Sequence, residues 1–171
     1  MHATMRIRTS TIAWVAAGAV AAVGALLLAY HQATSIDEPL AVGVTAPAVD
    51  LPAVAGGRVV DTGRPVVVAF VSTTCGSCER TAAQLVRLAG SGVAVGAIAQ
   101  PDATDEVLAA FATGPLEGVV PLARDDRATG TAFRVSAFPT VYVIDASGRV
   151  ADAWVGDQPP ERFDAALTAP G

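Results

Sequence analysis

Lysine and asparagine are absent from this chain, so arginine alone supplies its positive charge. The 11 arginines are outnumbered by 16 acidic residues, for a net charge of −5. They form no basic patch, which argues against nucleic-acid binding. Histidine occurs only as His2 and His31. A structural zinc site needs about four ligands, and both histidines flank an apolar N-terminal run, so no metal and no other cofactor is expected. Cysteine is equally scarce. Cys75 and Cys78 are the whole supply, an even number that leaves no odd thiol.

The excess lies in apolar residues, 52% of the chain. From Thr11 to Tyr30 no side chain is charged, and a helix needs about 20 such residues to span a bilayer. Arg6 and Arg8 precede the run, while Asp37 and Glu38 follow it. By the positive-inside rule this arrangement predicts a cytoplasmic N-terminus over 1–10, a transmembrane anchor over 11–30, a tether over 31–41 and an extracytoplasmic domain over 42–171. A cleaved signal peptide is the rival reading. Its apolar core is shorter, about 7–15 residues, and it ends in a small-x-small site, which Leu28 to Ala33 matches poorly. A buried core helix fits less well, since the run has no polar face. A dithiol outside the membrane meets an environment where disulfides persist.

Past the tether, Ala41 to Pro52 reads as extended and turn-rich, and Gly56-Gly57 before Arg58 to Asp61 as a small hairpin. Pro65 to Val71 and Val93 to Ala99 are apolar without alternation, as strands buried on both faces are. A helix is predicted from Ser77 to Ala89, with Ala82, Leu85, Val86, Leu88 and Ala89 to one side, ending at Gly90-Ser-Gly92. Another is predicted from Asp102 to Thr113, with Val107, Leu108 and Phe111 inward. Val119 to Ala123 reads as a short strand interrupted by Pro121, and Asp125 to Phe133 as a short helix or turn capped by Asp125-Asp126. Thr140 to Asp145 and Arg149 to Val155 form an antiparallel hairpin around the turn Ala146-Ser-Gly148. Pro159-Pro160 opens a last helix through Leu167. This order is an α/β layout with helices covering a mixed sheet.

Cys75 and Cys78 stand where the first buried strand meets the helix behind it. Unpaired backbone N–H groups and the helix dipole favour a thiolate there. A Cys-x-x-Cys beside a βαβ pattern reads as a thioredoxin-like redox motif. Cys75, ahead of the helix, is the expected nucleophile, and Cys78, inside its first turn, the resolving thiol. Two intervening residues in a helical turn bring the sulfurs within bonding reach.

From Val42 to Leu167 the chain resembles the membrane-anchored thioredoxin-like thiol–disulfide oxidoreductases of the TlpA/ResA type. The motifs stand in family order. Gly43 to Pro47 with Asp50-Leu-Pro52 looks like the opening segment, Val66 to Cys78 like strand plus active site, and Val135 to Thr140 like the cis-proline loop. Phe70 to Cys75 is also similar to the thioredoxin-like proteins of methylamine dehydrogenase maturation. The resemblance implies a thioredoxin fold with an N-terminal β extension, a cis Phe138–Pro139 bond facing the dithiol, and substrate pairing through the Phe138 backbone. It implies reduction of disulfides in exported proteins that carry cysteine pairs, as in cytochrome c maturation, with electrons from a membrane partner. Four positions depart from the pattern: Ala69 replaces a buried aspartate, Thr74 a tryptophan, Gly76-Ser77 the Gly-Pro dipeptide, and Thr81 a glutamate found in some relatives. The proton-transfer partner is therefore not given by resemblance. Glu79 and Asp145 are the candidate acids, though Glu79 also suits a solvated helix position. Trp154 fits core packing or hairpin surface better than substrate recognition.

Other readings stay open. They are a disulfide oxidant or maturation factor for an exported enzyme, a purely structural disulfide in an anchored scaffold, and a thiol peroxidase. The last rests on Ser72-x-x-Cys75, but Ala69 stands where its proline belongs.

Overall fold

The computed structural model describes residues 19–30, 38–60 and 65–168. Residues 19–30 are helical (α1) and exposed throughout, with Val20, Leu26 and Leu28 at least two-thirds exposed. The expected cytoplasmic segment 1–10, residues 11–18 of the expected anchor, most of the tether and Asp61 lie outside the described residues. Among the described residues no helix is long and apolar enough to cross a membrane.

Residues 37–171 form a separate compact unit. Its elements are β1 (Asp50–Pro52), β2 (Arg58–Val60), β3 (Val66–Val71), α2 (Gly76–Gly90), β4 (Ala94–Ala99), α3 (Asp105–Thr113), β5 (Leu122–Arg124), α4 (Ala128–Ala132), β6 (Thr140–Ile144), β7 (Val150–Val155) and α5 (Pro160–Thr168). The main sheet has five strands in the order β5-β4-β3-β6-β7. β3 runs parallel to β4 and antiparallel to β6, which puts the mixed connection at the centre.

β3 is buried at every position. Its side chains alternate, as a strand's must. Val67, Ala69 and Val71 join Leu85, Leu88, Phe111 and Phe163 beneath the helices. Val66, Val68 and Phe70 join Phe133, Tyr142 and Ile98 on the other face. There Phe70, Phe133 and Tyr142 stack with ring centroids 5.0–6.2 Å apart. Each such buried ring contributes about 1.5–3 kcal/mol. The Tyr142 hydroxyl donates to the Phe133 carbonyl and accepts from the Leu40 N–H at 3.1 Å.

The β1–β2 hairpin closes this second face. Its turn places Gly56 and Gly57 at φ 90° and 79°, backbone that favours glycine. Leu51 and Val59 enter the core from it, and the Val54 N–H bonds the Leu122 carbonyl at 2.7 Å, covering the β5 edge.

Three local expectations shift. β5 starts at Leu122 rather than Val119, because Pro121 has no N–H for the ladder and only its carbonyl takes part, accepting from Ala97 at 2.9 Å. α3 starts at Asp105 rather than Asp102, with the Thr104 hydroxyl as its cap, accepting from the Val107 N–H. On that frame Leu108, Phe111 and Ala112 face inward, and Val107 is 38% exposed, not buried. Asp125 and Asp126 do cap the α4 turn, accepting from Gly130 and Thr129 N–H groups.

Gly96 in β4 lies directly under Val59, where an added Cβ would meet the valine Cγ1 at 2.7 Å. Gly96→Ala is expected to cost about 1–3 kcal/mol in urea unfolding, through overpacking. Val59→Ala in the same chain should recover part of that loss.

Candidate active site

At the C-terminal end of β3 the chain turns into α2 through Ser72–Cys75. Cys75 is the N-cap, with extended backbone at φ −113° and ψ 118°, and no side chain caps it. Its carbonyl instead accepts from the N–H groups of Cys78 and Glu79, at 2.9 and 3.2 Å. Both cysteines are free thiols, Cys75 partly exposed and Cys78 fully buried. The Cys75 sulfur lies 2.9 Å from the Ser77 hydroxyl. The Ser72 N–H donates to the Cys78 sulfur at 3.3 Å.

These surroundings separate the two thiols. Partial burial opposes ionisation of Cys75, but hydrogen bonds from the Cys78 thiol and the Ser77 hydroxyl outweigh it and hold Cys75 below the ordinary thiol value. Burial pushes Cys78 up to about 12, reinforced by its bond to Cys75 and by the Asp157 carboxylate, against the Ser72 N–H. The accessible sulfur is the better thiolate.

The Phe138–Pro139 bond is cis. Thr140 pairs with Phe70, so Pro139 sits at the sheet end from which Ser72–Cys75 departs. The Pro139 carbonyl accepts from the Gly156 N–H at 2.8 Å, and the Thr140 hydroxyl donates to the Ala137 carbonyl at 2.7 Å. Phe138 is 37% exposed and borders a cleft of about 190 Å³ with Pro101, Arg127 and Val135. A second cleft, about 220 Å³, runs from Thr73 and Glu79 to Val107, Phe111 and Pro115. Val107 is exposed because it lines this cleft.

The structure separates the two acids considered. Glu79 is exposed on the first turn of α2, on the rim of the second cleft. Asp145 follows Ile144, which pairs with Val66 at the opposite end of the sheet. There its carboxylate accepts from Ser147 and Arg149 and holds the β6–β7 turn, so it is not an acid of this site. Trp154 is core: it packs edge-on against Phe163 at 5.0 Å, beneath the Arg162 guanidinium. Ala69 is wholly buried, and the Thr81 hydroxyl is buried without a partner.

Sequence reasoning missed three neighbours. Gln100, just past β4, binds Thr73 through both ends of its amide. Arg80 bonds Asp157 at 2.6 Å, joining the first turns of α2 to the segment after β7. The available signal was topological, since sites in open α/β sheets gather beyond the carboxyl ends of parallel strands. Gln100 is a polar residue in that place.

Alkylation with iodoacetamide should modify Cys75 selectively at neutral pH. Its rate should rise through an inflection below the free-thiol value of about 8.5, while Cys78 stays unmodified until far more alkaline pH. Site-resolved mass spectrometry reads both, and equal labelling at pH 7 contradicts the asymmetry.

Residues 57–169 match the family model described as "Thioredoxin-like domain". No curated protein matches the sequence significantly. Among solved structures, a thiol:disulfide interchange protein DsbE from Chlorobium tepidum is 27% identical, with TM-score 0.62, over 75% of this chain and 99% of that one. A second thioredoxin-family interchange protein from the same organism is 22% identical (TM-score 0.61; 78% and 97% covered). DsbF of Mycobacterium tuberculosis is 20% identical (TM-score 0.63; 72% and 98% covered). The chain belongs to the thioredoxin-like domain family, as one of its protein-disulfide oxidoreductases.

Proposed function

We propose that this thiol–disulfide oxidoreductase works outside the cytoplasmic membrane, anchored by residues 11–30, and reduces disulfides of exported proteins such as apocytochrome c. A membrane partner supplies its electrons. The asymmetry of the dithiol carries the chemical part of this reading. The Cys75 thiolate attacks a substrate disulfide, forming a Cys75–substrate bond and expelling the other substrate sulfur as a thiolate. Cys78 then loses its proton to water and attacks Cys75. The Cys75–Cys78 bond forms, the Cys75–substrate bond breaks, and the substrate has gained two electrons. Phe138 and Pro139, at the same sheet end, are the proposed backbone dock for the substrate strand. The location rests on the charge-free run behind Arg6 and Arg8 and on the exposed apolar surface of α1.

Two observations favour exchange over peroxide reduction. The Ser72 hydroxyl lies 3.3 Å from Thr74 Oγ1, and it is the Ser72 backbone N–H that serves a sulfur, that of Cys78. Arg80, in the helix behind the cysteines, is committed to Asp157. One contact favours an oxidising direction: the Ser77 hydroxyl 2.9 Å from the Cys75 sulfur supports a thiolate there, which stabilises the reduced pair.

The midpoint potential of the Cys75–Cys78 couple decides the direction. A value at or below about −250 mV fits a reductase, and one between about −120 and −180 mV an oxidant or maturation factor. In an insulin-reduction assay Cys75→Ser should abolish turnover, while Cys78→Ser should accumulate a mixed disulfide with the substrate. Retained turnover in both variants rejects the redox assignment. Protease accessibility of the domain in intact spheroplasts tests the location.

A further inference from the structure

Gln100 has no place in the steps above, yet its side chain is spent wholly on the active-site loop. Its Oε1 accepts from the Thr73 N–H at 3.0 Å, and its Nε2 donates to Thr73 Oγ1 at 3.0 Å. Its own N–H bonds the Val71 carbonyl at 3.1 Å, continuing the β3–β4 ladder past its last strand pair. The partly buried Gln100 is therefore held at its backbone and bonded at both ends of its amide. A donor at Thr73 N fixes which way the amide faces, since only the oxygen can accept.

What this clamp holds lies one residue back. Ser72 precedes Thr73, and its N–H is the donor 3.3 Å from the buried Cys78 sulfur. Its carbonyl accepts from the Cys75 N–H at 3.4 Å, so one short turn touches both cysteines. Strand pairing of β3 has ended by Thr73, so beyond this turn and the Ser72–Thr74 hydroxyl contact at 3.3 Å the Gln100 amide is what ties Thr73 to the sheet. A thiol raised by burial depends on such a donor when it must become the attacking thiolate.

We infer that Gln100 is a positioning residue for the second half of the exchange: by clamping Thr73 it keeps the Ser72 N–H on the Cys78 sulfur and so sets how fast Cys78 resolves the mixed disulfide. This rests on the redox reading of the dithiol. In the step concerned, Cys78 gives its proton to water and its sulfur bonds Cys75. The electron pair of the broken Cys75–substrate bond leaves on the substrate sulfur.

The reduced full-length chain in detergent, mixed with one equivalent of 5,5′-dithiobis(2-nitrobenzoate), reads the two halves separately. The first thionitrobenzoate released reports attack by Cys75, and the second reports displacement by Cys78. Gln100→Met keeps the length of the side chain and removes both hydrogen bonds. It should slow the second phase by on the order of tenfold, the loss of one hydrogen bond to a charged group, and leave the first nearly unchanged. Thr73→Val should slow the second phase less, and should add nothing once Gln100 is replaced. An unchanged second phase in Gln100→Met, or equal slowing of both phases, overturns the assignment. If Gln100→Met lacks a cooperative melt, Thr73→Val decides alone: selective slowing supports the clamp, and an unaltered second phase rejects it. A wild-type chain with no second phase would instead sink the redox reading, and Gln100's role with it.

Discussion

The structure depends on one strand being apolar on both faces. β3 contributes Val67, Ala69 and Val71 to the core beneath the helices, and Val66, Val68 and Phe70 to the core beneath the hairpin. A strand so enclosed cannot slip by a residue without exchanging its two sets of side chains between unlike surroundings. Its last residue, Val71, is therefore fixed in depth, and so is the turn that follows. The dithiol inherits that placement: Cys78 falls inside the core of the helical layer, and Cys75 at its rim.

Depth alone then gives the thiols different chemistries. Among the described residues no carboxylate is buried, and Ala69 and Thr81, both buried, carry no acid. The contrast comes from burial and from short-range donors, the Ser77 hydroxyl on one sulfur and a backbone N–H on the other. Charged neighbours act from farther out, through the Arg80–Asp157 pair at the surface.

Much of this was legible in the residue order. The unbroken run Val66–Val71 announces a strand covered on both sides, and the cysteine spacing places the thiols at a helix start. Phe138-Pro139 was recognisable by resemblance, and the bond is cis. What escaped was whatever depends on neighbours distant in sequence. Val107 follows the helical spacing of Phe111 but faces a cleft that it shares with Thr73 and Glu79, residues more than twenty-five positions away in sequence. Asp145 stands just after a strand of the site's sheet, yet at the wrong end of it. Gln100 is an unremarkable polar residue until the parallel β3–β4 pairing sets it beside Thr73. Periodicity reports which face a residue takes; only register reports which end of the sheet it reaches.

The packing of Trp154 has an optical consequence. The chain has two tryptophans, and Trp14 lies in the apolar N-terminal run, so the compact unit from residue 37 onward carries a single indole. That indole meets the edge of Phe163 and the guanidinium of Arg162, both on α5. Its emission is thus a gauge of whether α5 is docked against β7, read in the fluorescence of the unit that carries it.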